Sequence, residues 1–94
     1  MDKSYQVVPV PERQRYELRS QDRVIGSATA LPHGDVIVVP HVEVNPEFEG
    51  QGFGSRLVRG VLDDIRAQGK KVSPLCPFVR SFIQRYPEYA DLQA

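Results

Sequence analysis

His41-Val42-Glu43-Val44-Asn45-Pro46, followed by Glu49-Gly50-Gln51-Gly52-Phe53-Gly54-Ser55, is the stretch on which the fold turns. Its first half alternates as a strand does, and Asn45-Pro46 ends that character. From Phe53 onward the apolar residues Phe53, Leu57, Val58, Val61, Leu62 and Ile65 recur at helical spacing. The three close glycines therefore stand between a strand and a helix. Glycine lets the backbone turn with its amides pointing inward, and the helix behind adds partial positive charge, so a phosphate fits there.

Two other phosphate loops fail on spacing. A Walker loop ends in Gly-Lys-Ser/Thr, whereas this chain has Gly54-Ser55-Arg56. A dinucleotide fingerprint read from Gly52-Phe53-Gly54 needs a third small residue where Leu57 stands, and the loop lies past mid-chain with no room for a second nucleotide-binding half.

Working upstream, Tyr5 to Val10, Tyr16 to Leu18 and Val24 to Leu31 read as strands separated by Pro11 and by a Ser20-Gln21-Asp22-Arg23 turn. Pro32-His33-Gly34-Asp35 reads as a second turn. Val36 to Val39 and His41 to Val44 then form a long strand interrupted at Pro40, where an edge or bulge is expected because proline lacks the ladder donor. Downstream, Gly69 is placed to stop the first helix in a left-handed cap. Lys71 to Leu75 is a further short strand. Pro77 opens a second helix carrying Phe78, Val79, Phe82 and Ile83, and Pro87 ends it. The expected fold class is α+β, a mixed and mainly antiparallel sheet with two helices, the first crossing between parallel strands. No repeat or linker divides residues 1–94, which read as a single domain.

Bulk properties narrow the partners. Twelve basic residues balance twelve acidic ones, so neither nucleic acid nor an anionic membrane is expected as the main partner. The longest apolar run, Val36 to Val39, is far short of a membrane span. One cysteine and a start without a secretion pattern point to the cytoplasm.

The strand and glycine loop resemble those of GNAT acetyltransferases, whose usual loop is Gln/Arg-x-x-Gly-x-Gly/Ala. Leu75-Cys76-Pro77-Phe78-Val79 and Arg85-Tyr86-Pro87-Glu88-Tyr89 are similar to the C-terminal part of a very small GNAT-like subfamily. The resemblance implies a twisted sheet that splays at a coenzyme A site, with acetyl-CoA as co-substrate, no metal, and an amine of unknown identity as acceptor. It places Val42 and Val44 beside the pantetheine and Gly50, Gln51, Gly52, Phe53, Gly54 and Ser55 at the pyrophosphate. Cys76, Pro77, Phe78 and Val79 would flank the thioester. An acyl-CoA-binding or protein-interaction module with little turnover is the alternative, and an oligomer is compatible with either.

Three departures from the family pattern stand out. Glu49 occupies the place of Gln or Arg and is expected to point outward. Phe82 stands where relatives often carry a tyrosine able to protonate the leaving thiolate. Tyr86 replaces a histidine before Pro87.

Candidate chemistry follows from what amine acylation needs: a neutral amine, a donor to the thioester oxygen and a proton for the thiolate. His41 and Glu43, two apart on a strand, share a face. They are either a base and its neighbour or a hydrogen-bonded pair at the sheet rim. Cys76, at a helix start, is either an accessible nucleophile or a buried apolar side chain. Arg56 and Arg59 are candidates for the adenosine phosphate, and Tyr86 and Tyr89 for a cap over the groove.

Overall fold

In a computed structural model, which describes residues 5–94, seven strands and two helices run β1 (Tyr5–Val10), β2 (Arg15–Ser20), β3 (Arg23–Thr29), β4 (Leu31–His33), β5 (Val36–Val38), β6 (Val42–Val44), α1 (Phe53–Ala67), β7 (Lys71–Ser73) and α2 (Pro77–Arg85). The strands form two sheets, ordered β1-β2-β3-β6 and β4-β5-β7. All pairs are antiparallel except β5 with β7, which α1 connects as a crossover. The expected α+β class with its splayed mixed sheet is what the structure has.

The split originates in one proline. The interruption expected at Pro40 is present, but it is a full break rather than an edge or bulge, and the two halves of residues 36–44 join different sheets. Before the break β5 pairs with β7, and the Val39 amide extends that ladder to the Ser73 carbonyl at 3.0 Å. After it β6 pairs with β3. Pro40 has no donor for either ladder, so the partner change falls where a hydrogen bond is already missing. The facing segment breaks in step at Ala30, whose amide bonds Gln14 instead at 2.8 Å. Val24 to Leu31 is accordingly two strands, and Pro32-His33 belongs to β4, leaving Gly34-Asp35 as the turn. Gly34, at φ 63°, supplies the left-handed residue that turn needs.

The core lies between the sheets and the two helices. Phe53, Leu57, Val58, Val61, Leu62 and Ile65 are the buried residues of α1, the set its periodicity predicts. They meet Tyr16, Leu18, Ile25 and Ala28 from the strands and Val79, Phe82 and Ile83 from α2. Gly69 ends α1 at φ 71°, its amide bonding the Arg66 carbonyl at 2.9 Å and the Lys70 amide that of Ile65 at 3.1 Å, a Schellman closure. Past Pro87 the chain forms a 3-10 turn, Pro87–Leu92, and Gln93 bridges to Val72 beside β7. Residue pattern predicts no element past Pro87.

On the sheet face opposite α1, alternation along β2 places Arg15, Glu17 and Arg19 together. Glu17 is 3% exposed. Arg15 Nε donates to its Oε2 at 2.8 Å and Arg19 Nε to its Oε1 at 2.9 Å. Burial alone would raise the Glu17 carboxyl, but the bonds from Arg19 and Arg15 outweigh it and hold the group below its ordinary 4.5. A carboxyl lowered in the fold adds stability above its unfolded value, and that contribution is lost as pH falls through the folded one. Glu17→Gln should therefore cost about 1–2 kcal/mol at neutral pH, the half-exposed arginines being free to turn to water. Chemical denaturation across pH should show the gap between the two proteins shrinking as pH falls below about 4.5 and closing below the lowered folded value; a gap that remains even there would mean that packing, not charge, carries the effect.

Candidate coenzyme A cleft

Where β6 parts from β7 the sheet opens, and a cleft of about 620 Å³ lies between β6, the loop after it and the start of α2. Asn45 shapes its entrance. The Asn45 side-chain oxygen accepts from the Glu47 amide at 3.1 Å, starting a 3-10 turn, Pro46–Phe48, with Pro46 at its first position. Phe48 then stacks edge-on against Phe53 at 6.1 Å between ring centres, and Tyr5 meets Phe53 at 5.1 Å. This aromatic packing pins the glycine loop to the core.

Gly50 and Gly52 adopt φ 82° and 80°, left-handed backbone that favours glycine, immediately before α1. Gly52 is the N-cap, no side chain caps the helix, and its first turn holds no acidic residue. The first bond of the helix runs from the Arg56 amide to the Gly52 carbonyl. The amides of Phe53, Gly54 and Ser55 precede it at an N-terminus with its partial positive charge. Gly54 faces Phe78 across the cleft so closely that a Cβ there would stand 3.1 Å from the ring. These features fit a diphosphate-bearing, elongated ligand: donors at one end, and an apolar wall of Val42, Val44 and Phe78 along the rest.

The cleft walls include Val42, Val44, Gly50, Gly52, Phe53, Gly54, Ser55 and Phe78 of the residues expected at the cofactor. Gln51 is exposed and off the wall. Cys76, Pro77 and Val79 also stand away from it, Val79 because helical rotation turns it into the core while its neighbour Phe78 faces the opening. Pro46 and Phe48 line the cleft and were missed; Asn45-Pro46, a cap residue followed by proline, was the available signal. Glu49 is exposed as expected, yet it also contributes to the rim.

The candidate chemical groups are distributed unevenly. His41 and Glu43 lie on the face away from the core, His41 Nε2 3.6 Å from Glu43 Oε1, and are 62% and 66% exposed. Glu43 borders the cleft and His41 does not. Cys76 is 6% exposed and belongs to the core. Its amide bonds the Val39 carbonyl at 3.1 Å, which draws it under the end of β5, so its sulfur lacks the access expected of a nucleophile. Arg59 is engaged elsewhere: its guanidinium lies over Tyr86 at 4.9 Å and Phe82 at 5.5 Å and reaches the Tyr89 hydroxyl at 3.3 Å. Tyr89 is buried and donates to Asp63 at 2.7 Å; burial first, then that bond, raises its pKa. Tyr86 packs on Phe82 at 4.7 Å. Both tyrosines anchor the C-terminal segment and neither lines the cleft. Arg56 lies over the Tyr5 ring at 5.2 Å.

Among the described residues, no group of three or more His, Cys, Asp or Glu is arranged to hold a metal, and no helix is long and apolar enough to cross a membrane.

Comparison with known proteins bears on the same architecture. No curated protein sequence matches the chain. Among solved structures, a GCN5-like protein from Staphylococcus aureus determined by NMR superposes with a TM-score of 0.71 at 18% identity, over 98% of this chain and 90% of that one. The IAA acetyltransferase of Bacillus cereus gives 0.59 at 15% identity, over 86% and 73%. The ribosomal-protein-S18-alanine N-acetyltransferase of Escherichia coli gives 0.57 at 16%, over 77% of this chain but only 42% of its own length. These likenesses establish the fold. The family described as GCN5-related N-acetyl-transferase matches residues 15–92, nearly the whole chain, and the protein belongs to that family.

Proposed function

We propose that the protein is an acetyl-CoA-dependent N-acetyltransferase acting on an amine. The observation that carries this reading is the uncapped start of α1 behind Gly50 and Gly52, opening into an apolar cleft where the sheet parts. The amides of Gly52 to Ser55 would hold the pyrophosphate, and Val42, Val44 and Phe78 would flank the pantetheine arm. Acetyl-CoA, when bound, supplies an acetyl group activated as a thioester.

The chain's own part is to position the amine and handle its proton. The amine nitrogen bonds the acyl carbon, the carbon–sulfur bond breaks, and the proton lost by nitrogen balances the one gained by sulfur. In this reading Glu43, the acidic strand residue that borders the cleft, takes that proton, with His41 Nε2 3.6 Å from its Oε1. Phe82 has no proton to give and is buried, so the thiolate draws its proton from another source.

Calorimetry with acetyl-CoA, followed by release of free thiol across an amine panel above the hydrolysis background, tests the reading. Binding with no amine-dependent thiol release would favour a CoA-binding module. Glu43→Gln should lower kcat by about 100-fold and leave acetyl-CoA affinity within about threefold. Equal losses in both would make Glu43 a binding or structural residue.

A further inference from the structure

The sheet face opposite α1 carries a second hollow, of about 350 Å³, whose wall includes Arg15, Ser27, Glu43 and Asn45. It shares Glu43, Val44 and Pro46 with the coenzyme A cleft, so the two cavities meet across β6. Register explains its shape. Glu17 pairs with Ser27 and Ser27 with Glu43, which sets these three side chains in one row across β2, β3 and β6. Ser27, the small middle member, leaves the floor low between taller neighbours.

The two banks of the hollow differ in charge. On one, Arg15 and Arg19 share the single carboxylate of Glu17, a trio with one net positive charge. Arg15 spends its Nε and Nη2 on Glu17 and lines the hollow, leaving its Nη1 edge for another acceptor. On the other bank stands Glu43, with His41 beside it. The strands carrying the banks are two spacings apart, roughly 10 Å.

We infer that this hollow seats the acceptor, and that the acceptor is a primary amine carrying a carboxylate, its amine at Glu43 and its carboxylate at Arg15. The inference rests on the acetyltransferase reading above and specifies its substrate class. A zwitterion of this kind satisfies both banks at once. An uncharged-tail amine leaves the positive bank without a partner, and an isolated anion meets Glu43 with like charge. The shared wall at Glu43 delivers the amine to the cleft where the thioester would lie.

The test compares ω-amino acids of increasing chain length with their carboxamides, which keep the amine and length but lose the negative charge. Thiol release is measured with wild type, Arg15→Gln and Ser27→Phe, and acetyl-CoA affinity is measured in parallel by calorimetry. Ser27→Phe leaves the Arg15, Glu17 and Arg19 trio intact and fills the floor, so it addresses the hollow even if Arg15→Gln loosens the sheet. The expected result is at least a tenfold preference in kcat/KM for one or more amino acids over their carboxamides, lost in Arg15→Gln, with Ser27→Phe lowering kcat/KM for the amino acid at least tenfold. Acetyl-CoA affinity should stay within about threefold in both variants. Turnover of amines with no such preference, or a preference that survives both variants, would overturn the assignment and leave the acetyltransferase reading standing. Acetyl-CoA binding with no amine turned over would also overturn it. Failure of acetyl-CoA to bind wild type would remove the reading on which it rests.

Discussion

Gly52→Asp should weaken acetyl-CoA binding by at least about 100-fold, close to 3 kcal/mol, while folding stability stays within about 2 kcal/mol of wild type. Gly52 is the N-cap of α1 at φ 80°, and nothing lies within 4 Å of where a Cβ would be. Space is therefore not the obstacle to a side chain there. Aspartate and asparagine tolerate left-handed backbone better than other non-glycine residues, at about 1–2 kcal/mol, and a carboxylate at a helix start returns about 0.3–1 kcal/mol through the helix dipole. The fold thus survives, but with a fixed negative charge beside the amides that the ligand's phosphates need. Gly52→Asn separates the two effects, since it matches aspartate in shape and strain and carries no charge. Isothermal titration should find its affinity much nearer wild type than that of Gly52→Asp. Equal losses would place the cause in backbone strain, and no loss in either would remove the loop from the binding site.

Much of this architecture is readable from residue order because its determinants are local. The six buried positions of α1, its start after Gly52, its stop at Gly69 and the start of α2 at Pro77 each depend on a few neighbouring residues, and all hold in the structure. What sequence order hides is pairing between distant segments. Pro40 announces a missing hydrogen bond, but not that β5 and β6 take partners in different sheets, because that depends on where β3 and β7 lie.

The site shows the same division. The glycine loop is legible from its own pattern, whereas Val42 and Val44 are expected at the cleft only through the family resemblance. Cys76 reads from sequence as either an accessible nucleophile or a buried apolar side chain, because the helix start is visible there and the Val39 carbonyl that draws its amide inward is not; the structure has the buried one. Glu17 went unremarked for a similar reason. A charged residue between Tyr16 and Leu18 looks like ordinary alternation, and only the arginines at two-residue spacing, folded back over it, make it a buried carboxylate. The hollow over Ser27 requires the register of three strands, the third of them, β6, reached from β3 only through β4 and β5.

The core that supports the cleft makes stability and binding separable. Leu62 is fully buried in α1, and Leu62→Ala removes three heavy atoms from a packed interior that relaxes only in part, a loss of about 2–5 kcal/mol. A domain of this length has a total stability of about 5–14 kcal/mol, so the variant should melt roughly 10–25 °C below wild type. Leu62 lies ten residues along the helix from Gly52, about 15 Å at 1.5 Å per residue. Its truncation should therefore leave the affinity of the folded fraction unchanged. A ligand that binds only the folded state restores stability by mass action, about 2.7 kcal/mol at 100 times its Kd. Saturating acetyl-CoA should thus recover much of what Leu62→Ala loses. Placing Gly52→Asp in the same chain should abolish that recovery without lowering the melting temperature much further. Thermal scans of the single and double variants, with and without acetyl-CoA, would decide it. An equal ligand-induced shift in the two would mean that acetyl-CoA is held somewhere other than the start of α1, and absence of a shift in Leu62→Ala alone would mean that the core and the cleft are coupled along the helix.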